Sequence, residues 1–207
     1  QGNWDVMGLQ GTGSFDFEVP EQFIPAKATF PIFDCETVTG GSIYGIGAIP
    51  IGTISSCAWS LGVAKRALYE IAELARKGRA RMGQTPLREQ LTFQRDYGIQ
   101  RMAVQSARIL AQAAYNTAVE TVASGAPAET CERRIRETKA AATYVTRVAK
   151  AAVTFAWECS GSVGIRNPSR LQRCFRDICV GCAHMVFDDR NYVELAKGEL
   201  GLETSPY

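Results

Sequence analysis

The sequence predicts a mainly α-helical protein: a four-helix up-and-down bundle preceded by a short β segment. Three observations carry this. From about residue 54 onward, apolar side chains recur in three- and four-residue steps over long runs. Gly78, Thr85-Pro86, Gly125 with Pro127, and Pro168 punctuate those runs at short intervals. Before residue 34 the apolar period is two instead. Long helices joined by short connections are the signature of a bundle.

The β segment covers residues 1–33. Trp4, Val6 and Met7 precede a Gly-Thr-Gly-Ser turn at 11–14, after which Phe15, Phe17 and Val19 alternate with Asp16 and Glu18. That alternation is the pattern of a half-buried strand. Pro20, Pro25 and Pro31 interrupt the rest of the segment. Two or three strands cannot bury a sheet alone, so the segment reads as part of a larger β-domain. Residues 34–53, rich in Gly, Thr and Ser, read as a connector to a bundle spanning 54–207.

The first helix carries an apolar seam of Cys57, Leu61, Ala64, Leu68, Ile71 and Ala75, and Gly78 supplies its stop. The second is expected to start at Thr85-Pro86, with Thr as N-cap and Pro in the first helical position, and to run to about Ser124. The third spans 128–159. Its seam runs from Cys131, Ile135 and Thr138 through Ala142, Val145, Ala149, Ala152 and Ala156 to Cys159, mostly small residues that admit a close neighbour. The fourth is expected over 168–197, with Leu171, Phe175, Ile178, Cys182 and Met185 turned inward.

Composition narrows the function. A net charge of +2 gives no electrostatic case for nucleic acid. No apolar run approaches the roughly 18 residues of a membrane span. Seven cysteines, an odd number and mostly at apolar helical positions, read as reduced cytoplasmic thiols. The chain opens on Gln1, which reads as a start within a longer polypeptide.

On the expected fourth helix, Arg173, Asp177, Gly181, His184, Asp188 and Asn191 share one stripe. His184 is the only histidine. Gly181, one turn earlier, costs helix stability and would leave room for a flat ligand or a partner backbone. Two readings stay open: a solvated face with an ordinary Arg173–Asp177 pair, or a ligand face presenting an imidazole suited to proton transfer. The pair Cys179 and Cys182 with His184 does not make a zinc site, because two steps of about 100° point Cys182 and His184 roughly 200° apart on a helix. No metal is expected. Residues 79–90 (R-A-R-M-G-Q-T-P-L-R-E-Q) combine basic side chains with an expected helix N-terminus, a general anion-binding arrangement. The Gly-rich turn at 11–14 lacks the adjoining helix that a dinucleotide or P-loop site needs. Residues 157–164 close the third helix in small residues, a default C-cap whose amides could also face a cofactor.

Four segments, in order and in register, resemble the C-terminal half of the acyl-CoA dehydrogenase superfamily. Residues 4–14 (W-D-V-M-G-L-Q-G-T-G-S) are similar to a middle-domain motif in which Arg usually stands at Gln10. Residues 79–90 resemble a loop that, in the family, reaches the flavin nucleotide of a neighbouring subunit, with Met82 in place of the usual aromatic. Residues 160–162 resemble a Gly-Gly turn near the pyrophosphate, and residues 171–177 resemble the L-x-R-x-x-R-D opening of the last helix. The resemblance implies a bundle like the family's C-terminal domain and a flavin cofactor, FAD or FMN. Its nucleotide would contact Arg79, Arg81, Met82, Gln90, Trp157, Gly161 and Ser162.

Dehydrogenases of the family carry a base-bearing I-Y-E-G-T segment where this chain has Gly181-Cys-Ala-His184-Met-Val-Phe187. A histidine there resembles the monooxygenase branch. The implied function is the oxygenase component of a two-component monooxygenase, using reduced flavin from a separate flavin reductase on a small aromatic or heteroatom-bearing substrate. His184 would be the catalytic residue. The family further implies a homo-oligomer, a tetramer, and little activity from this stretch alone. Two alternatives remain: an FAD-dependent acyl-CoA dehydrogenase with a displaced base, and a non-catalytic oligomerising bundle.

Overall fold

The computed structural model describes residues 3–29, 40–78, 80 and 82–205. Five α-helices organise them: α1 (Ala48–Arg76), α2 (Leu91–Ala123), α3 (Ala128–Cys159), α4 (Arg170–Gly181) and α5 (Arg190–Glu199). The chain is mainly helical, as its periodicity predicts. Helix α3 keeps the predicted bounds and lies at the centre, packing against α1, α2, α4 and α5. Its small face allows this. Ala142, Ala149, Ala152 and Ala156 are all fully buried, with Thr138, Thr143 and Val145 among them. Thr138, Thr143 and the neighbouring buried Thr146 donate their hydroxyls to carbonyls one turn back in their own helix, so none of these hydroxyls goes unpaired.

Two apolar clusters fill the bundle. The lower one joins Ala64, Leu68 and Ile71 of α1, Phe93 of α2, Ala152 and Val153 of α3, and Leu171 and Ile178 of α4. Phe93 stacks on Phe155 with ring centroids 5.9 Å apart. The upper one joins Cys57 of α1, Ala107, Ala111 and Tyr115 of α2, Val145 of α3 and Phe187. These pairings run α1 and α3 in one direction and α2 in the other.

Four expectations are corrected. No strand forms among the described residues 3–29. Phe15, Phe17 and Val19 are 51%, 85% and 59% exposed. A strand needs a neighbouring strand, and none is present to pair with. Residues 30–33, which include Pro31, lie outside the described residues. Helix α1 begins at Ala48, earlier than the connector reading implies. Helix α2 begins at Leu91, not at Thr85-Pro86. Pro86 is extended, a single 3-10 turn (Leu87–Glu89) comes next, and Gln90 turns extended before the helix starts. Gln90 donates its side-chain amide to the Thr85 carbonyl at 2.7 Å, which holds the turn closed.

The expected fourth helix is two helices. Helix α4 stops at Gly181; a 3-10 turn (Met185–Phe187) and then α5 come after it. Local side chains compete successfully for the backbone. The Val186 amide donates to Nδ1 of His184 at 3.3 Å, and the Arg190 amide donates to Asp188 Oδ1 at 2.8 Å. Met185, expected in the seam, is 76% exposed.

If α3's small face sets the packing distance, Ala152→Leu should lower stability by about 1–3 kcal/mol through overpacking. Ala151→Leu, at the exposed neighbouring position, should stay within about 0.5 kcal/mol of the parent. Urea denaturation of both variants checks the contrast.

Candidate functional site

His184 stands on the connector between α4 and α5, exposed and at extended backbone angles. Because Nδ1 accepts the Val186 amide, the proton of the neutral ring sits on Nε2, which is left to donate outward. Phe187 meets the ring edge-on, with centroids 6.3 Å apart, and is itself buried in the upper cluster. The connector is anchored to α3 at three points. Cys182 Sγ donates to the Thr146 carbonyl at 3.4 Å, and Asn191 bridges Thr143 Oγ1 at 2.9 Å and the Val186 carbonyl at 2.8 Å. Arg147 pairs with Asp189. The imidazole is thus presented by a loop with a fixed path rather than by a helix face.

The stripe expected along one helix does not exist, because α4 ends between Gly181 and His184. Gly181 is required for another reason than a ligand. A Cβ built there would overlap the outer edge of the Trp59 ring of α1. The space beside Gly181 is filled by this chain's own indole.

The remaining candidate residues gather elsewhere. Met82 is fully exposed in the connector between α1 and α2, and Gln90 closes that connector. Arg79 and Arg81 lie outside the described residues. Trp157 stacks on Phe175 of α4 at 4.3 Å and donates its indole N–H to the Gly164 carbonyl at 3.1 Å. It therefore shapes the turn that holds Gly161, at φ 56°, and the exposed Ser162. This group lies at the lower end of the bundle. His184 lies level with Thr143 and Thr146 of α3. Thirteen residues separate Thr146 from the end of α3 at Cys159, roughly 20 Å along the axis. Within one chain the two groups do not converge.

Residues 4–14 and 171–177 carry two of the four family-like segments, and periodicity alone predicts no contact between them. The structure supplies one. The Leu9 amide donates to Asp177 Oδ1 at 2.7 Å, and Arg176 Nη1 donates to the Met7 carbonyl at 2.7 Å. Gly8 lies so close to α4 that a Cβ would overlap the Arg176 carbonyl. The Trp4 indole and the Thr12 hydroxyl both donate to the Leu9 carbonyl. Asp177 and Arg176 thus serve a backbone clamp, which the i,i+4 reading of Arg173 and Asp177 missed. The adjacent Arg-Asp beside a glycine-centred turn was the available signal.

The thiols are not poised for chemistry. Burial pushes Cys57 and Cys182 up to about 11, so both stay protonated near neutral pH. None of the six described cysteines forms a disulfide, and Cys35 lies outside the described residues. No group of three or more metal-ligating side chains converges among the described residues. No described helix is long and apolar enough to cross a membrane.

Residues 54–189 match the family described as acyl-CoA dehydrogenase, C-terminal domain. Indole-3-acetate monooxygenase of Pseudomonas putida is 28% identical over 195 residues, covering 91% of this chain and 48% of that protein. The crystal structure of 3-HSA hydroxylase from Rhodococcus sp. RHA1 superposes with a TM-score of 0.82 at 21% identity, over 98% of this chain and 54% of that one. XiaF from Streptomyces sp., solved in complex with FADH2 and glycerol, superposes with a TM-score of 0.70 at 15% identity, over 78% and 41%. The chain spans about half the length of the curated relatives it matches.

The clamp predicts that Asp177→Ala costs about 1–3 kcal/mol, as expected for a hydrogen bond to a charged acceptor. Chymotryptic cleavage around Trp4, Phe15 and Phe17 should accelerate in the native state. Asp177→Asn retains an acceptor oxygen and should recover most of the protection. Equal protection in all three proteins would remove the clamp from the account.

Proposed function

Because the chain belongs to the family of acyl-CoA dehydrogenase C-terminal domains, we propose that it is the helical portion of a flavin-dependent monooxygenase, the oxygenase component of a two-component system. The observation that supports this reading most is the Nε2–H of the exposed His184, on a connector whose two carboxylates are both engaged, Asp188 by the Arg190 amide and Asp189 by Arg147. Asp188, the nearest acid, is held below the usual carboxylate range, first by the Arg190 backbone amide that it accepts. A carboxylate already satisfied in that way is a poor general base. The monooxygenase similarity of the chain favours the same reading over a dehydrogenase.

A reduced flavin, FAD or FMN, would supply the oxygen chemistry. The chain's own contribution is position and protons. His184 donates from Nε2 to the reacting oxygen or to the substrate, with its tautomer set by the Val186 amide. The 182–189 connector holds that donor at a fixed height on α3. The residues present fit such a group: an exposed donor on a hydrogen-bonded loop, and separately the turn of Gly161 and the exposed Ser162 at the end of α3. The roughly 20 Å between these groups along α3 fits an assembly in which His184 serves one flavin and the lower-end group of Met82, Gln90, Trp157, Gly161 and Ser162 serves that of a neighbouring subunit; by the family resemblance Arg79 and Arg81 would contact the same nucleotide. A homo-oligomer, a tetramer by family resemblance, accords with this arrangement, together with a flavin reductase as donor. A small aromatic or heteroatom-bearing molecule is the substrate class, and six described cysteines without a disulfide fit a cytoplasmic setting.

His184→Ala in the intact protein should leave flavin affinity unchanged while lowering product formed per O₂ consumed by roughly 10²-fold, the scale of a lost proton donor. Oxygen uptake and product yield, measured side by side with reduced flavin, give the answer. Undiminished coupling removes His184 from the reaction. Bleaching of bound oxidised flavin by an acyl-CoA under anaerobic conditions would instead make the protein a dehydrogenase.

A further inference from the structure

Helix α2 meets α1 at its upper end, and the Leu87–Glu89 turn before it meets α1 at the lower end. At the upper end, the Tyr115 hydroxyl and Thr53 Oγ1 lie 2.6 Å apart, both buried. The Thr53 proton goes to the Pro50 carbonyl at 2.9 Å, so Tyr115 is the donor in the bond between helices. The Ser42–Ile46 turn packs beside α2 at this end. At the lower end, Phe93 and Leu87 join α2 and its connector to the lower cluster. Between the two ends lies a groove of about 980 Å³, the upper part of the size range of small-molecule sites.

The groove has two tiers. Cys57, Leu68, Ala111 and Tyr115 form a buried floor. Its rim carries exposed amides and three cations: Lys65, Arg101 and Arg108. Among the described residues no Asp or Glu lines it. Among the described residues none of the three cations has a salt-bridge partner, whereas Arg66, Arg76, Arg88, Arg95, Arg134, Arg136, Arg147 and Arg190 all do.

The charges are not spread along the groove. At about 1.5 Å per residue, Arg108 lies roughly 10 Å below Tyr115 on α2, Arg101 roughly 21 Å below it, and Lys65 roughly 18 Å below Thr53 on α1. Above them the walls are uncharged: Ile54, Ala58, Gln112 and Asn116. The groove is therefore uncharged at the end closed by the Thr53–Tyr115 bond, with an apolar floor of Cys57 and Ala111 under amides at the rim, and cationic at the other. It also opens away from α4. Trp59, which meets Gly181, falls on another face of α1 from Ala58, Leu61 and Lys65.

We propose that this groove binds an amphiphilic organic anion, an alkyl- or aryl-carboxylate with an apolar body of about 10 Å. Its body lies along the uncharged upper walls, and its carboxylate sits between Lys65, Arg101 and Arg108. The polarity along the groove is what selects one headgroup on an apolar tail. An acidic helix from a partner would need cations along the whole length of both rims. The site does not rest on the flavin reading, since none of its residues belongs to the candidate flavin contacts.

Titration calorimetry of the intact chain with decanoate and with decan-1-ol tests the site. Decanoate is expected to bind at least about tenfold more tightly than the alcohol, a difference of about 1.4 kcal/mol. Arg108→Gln and Lys65→Gln should each weaken decanoate by several-fold and leave the alcohol unchanged. A side chain at Gly62 would meet open space rather than protein, because nothing lies within 4 Å of a Cβ built there. Gly62→Phe should therefore keep the parent's thermal midpoint and abolish binding of both probes. Three results overturn the proposal: equal binding of acid and alcohol, decanoate binding that survives Gly62→Phe, or no uptake by the parent together with a Gly62→Phe protein of smaller assembly mass. The last would assign the groove to a second copy of the chain.

Discussion

Close approach to one helix organises this protein. The inward face of α3 is built from alanine, threonine and valine, so four other helices can come near it. None of them needs a large surface of its own to be held. Helix α4 has 12 residues and α5 has 10, lengths that are marginal in isolation. They persist because α3 gives them packed neighbours and hydrogen-bonding groups at fixed heights. Thr143 and Thr146 do this directly: one receives Asn191, and the other offers its carbonyl to Cys182.

The connector that carries His184 arises from the same constraint. A continuous fourth helix would have carried His184, Asp188 and Asn191 past α3 in regular steps. Instead the helix stops where Trp59 of α1 lies against Gly181, and the backbone turns. His184 and Asp188 then satisfy amides that a helix would have used for itself. The break converts a histidine on a solvated stripe into a histidine with an assigned tautomer on a pinned loop. It is that local geometry, rather than the helical pattern, that makes a proton-donating role chemically sensible.

At the opposite side of α1 the constraint is absent. Helix α2 packs on α3 and meets α1 at its upper end, so the space between them is left to side chains that do not fill it. Cations without salt bridges gather along one half of that space. The bundle thus offers two unlike surfaces: a loop with a single polar donor over α3 and α4, and a long amphiphilic groove between α1 and α2. The backbone clamp of Arg176 and Asp177 on residues 7–9 belongs to the first. It ties the backbone of residues 7–9 to the middle of α4.

The helices were legible because each buried seam repeats every three or four residues within a single segment. Helix α3 was read to its last residue, since Pro127 before it and Ser160 with Gly161 after it are local stops. The apolar floor of α1 was read from Cys57 to Ala75 for the same reason. What could not be read depends on groups distant in the chain. Gly181 is a glycine because of an indole 122 positions earlier. Asp177 is engaged by an amide 168 positions away. The start of α2 and the end of α4 go with hydrogen bonds that Gln90 donates and that His184 and Asp188 accept, in competition with helix formation. Local periodicity decides which face of a helix is buried, because that face repeats. Where a helix breaks, and what a lone polar side chain then meets, is decided only when the packed neighbours choose between two competing sets of hydrogen bonds.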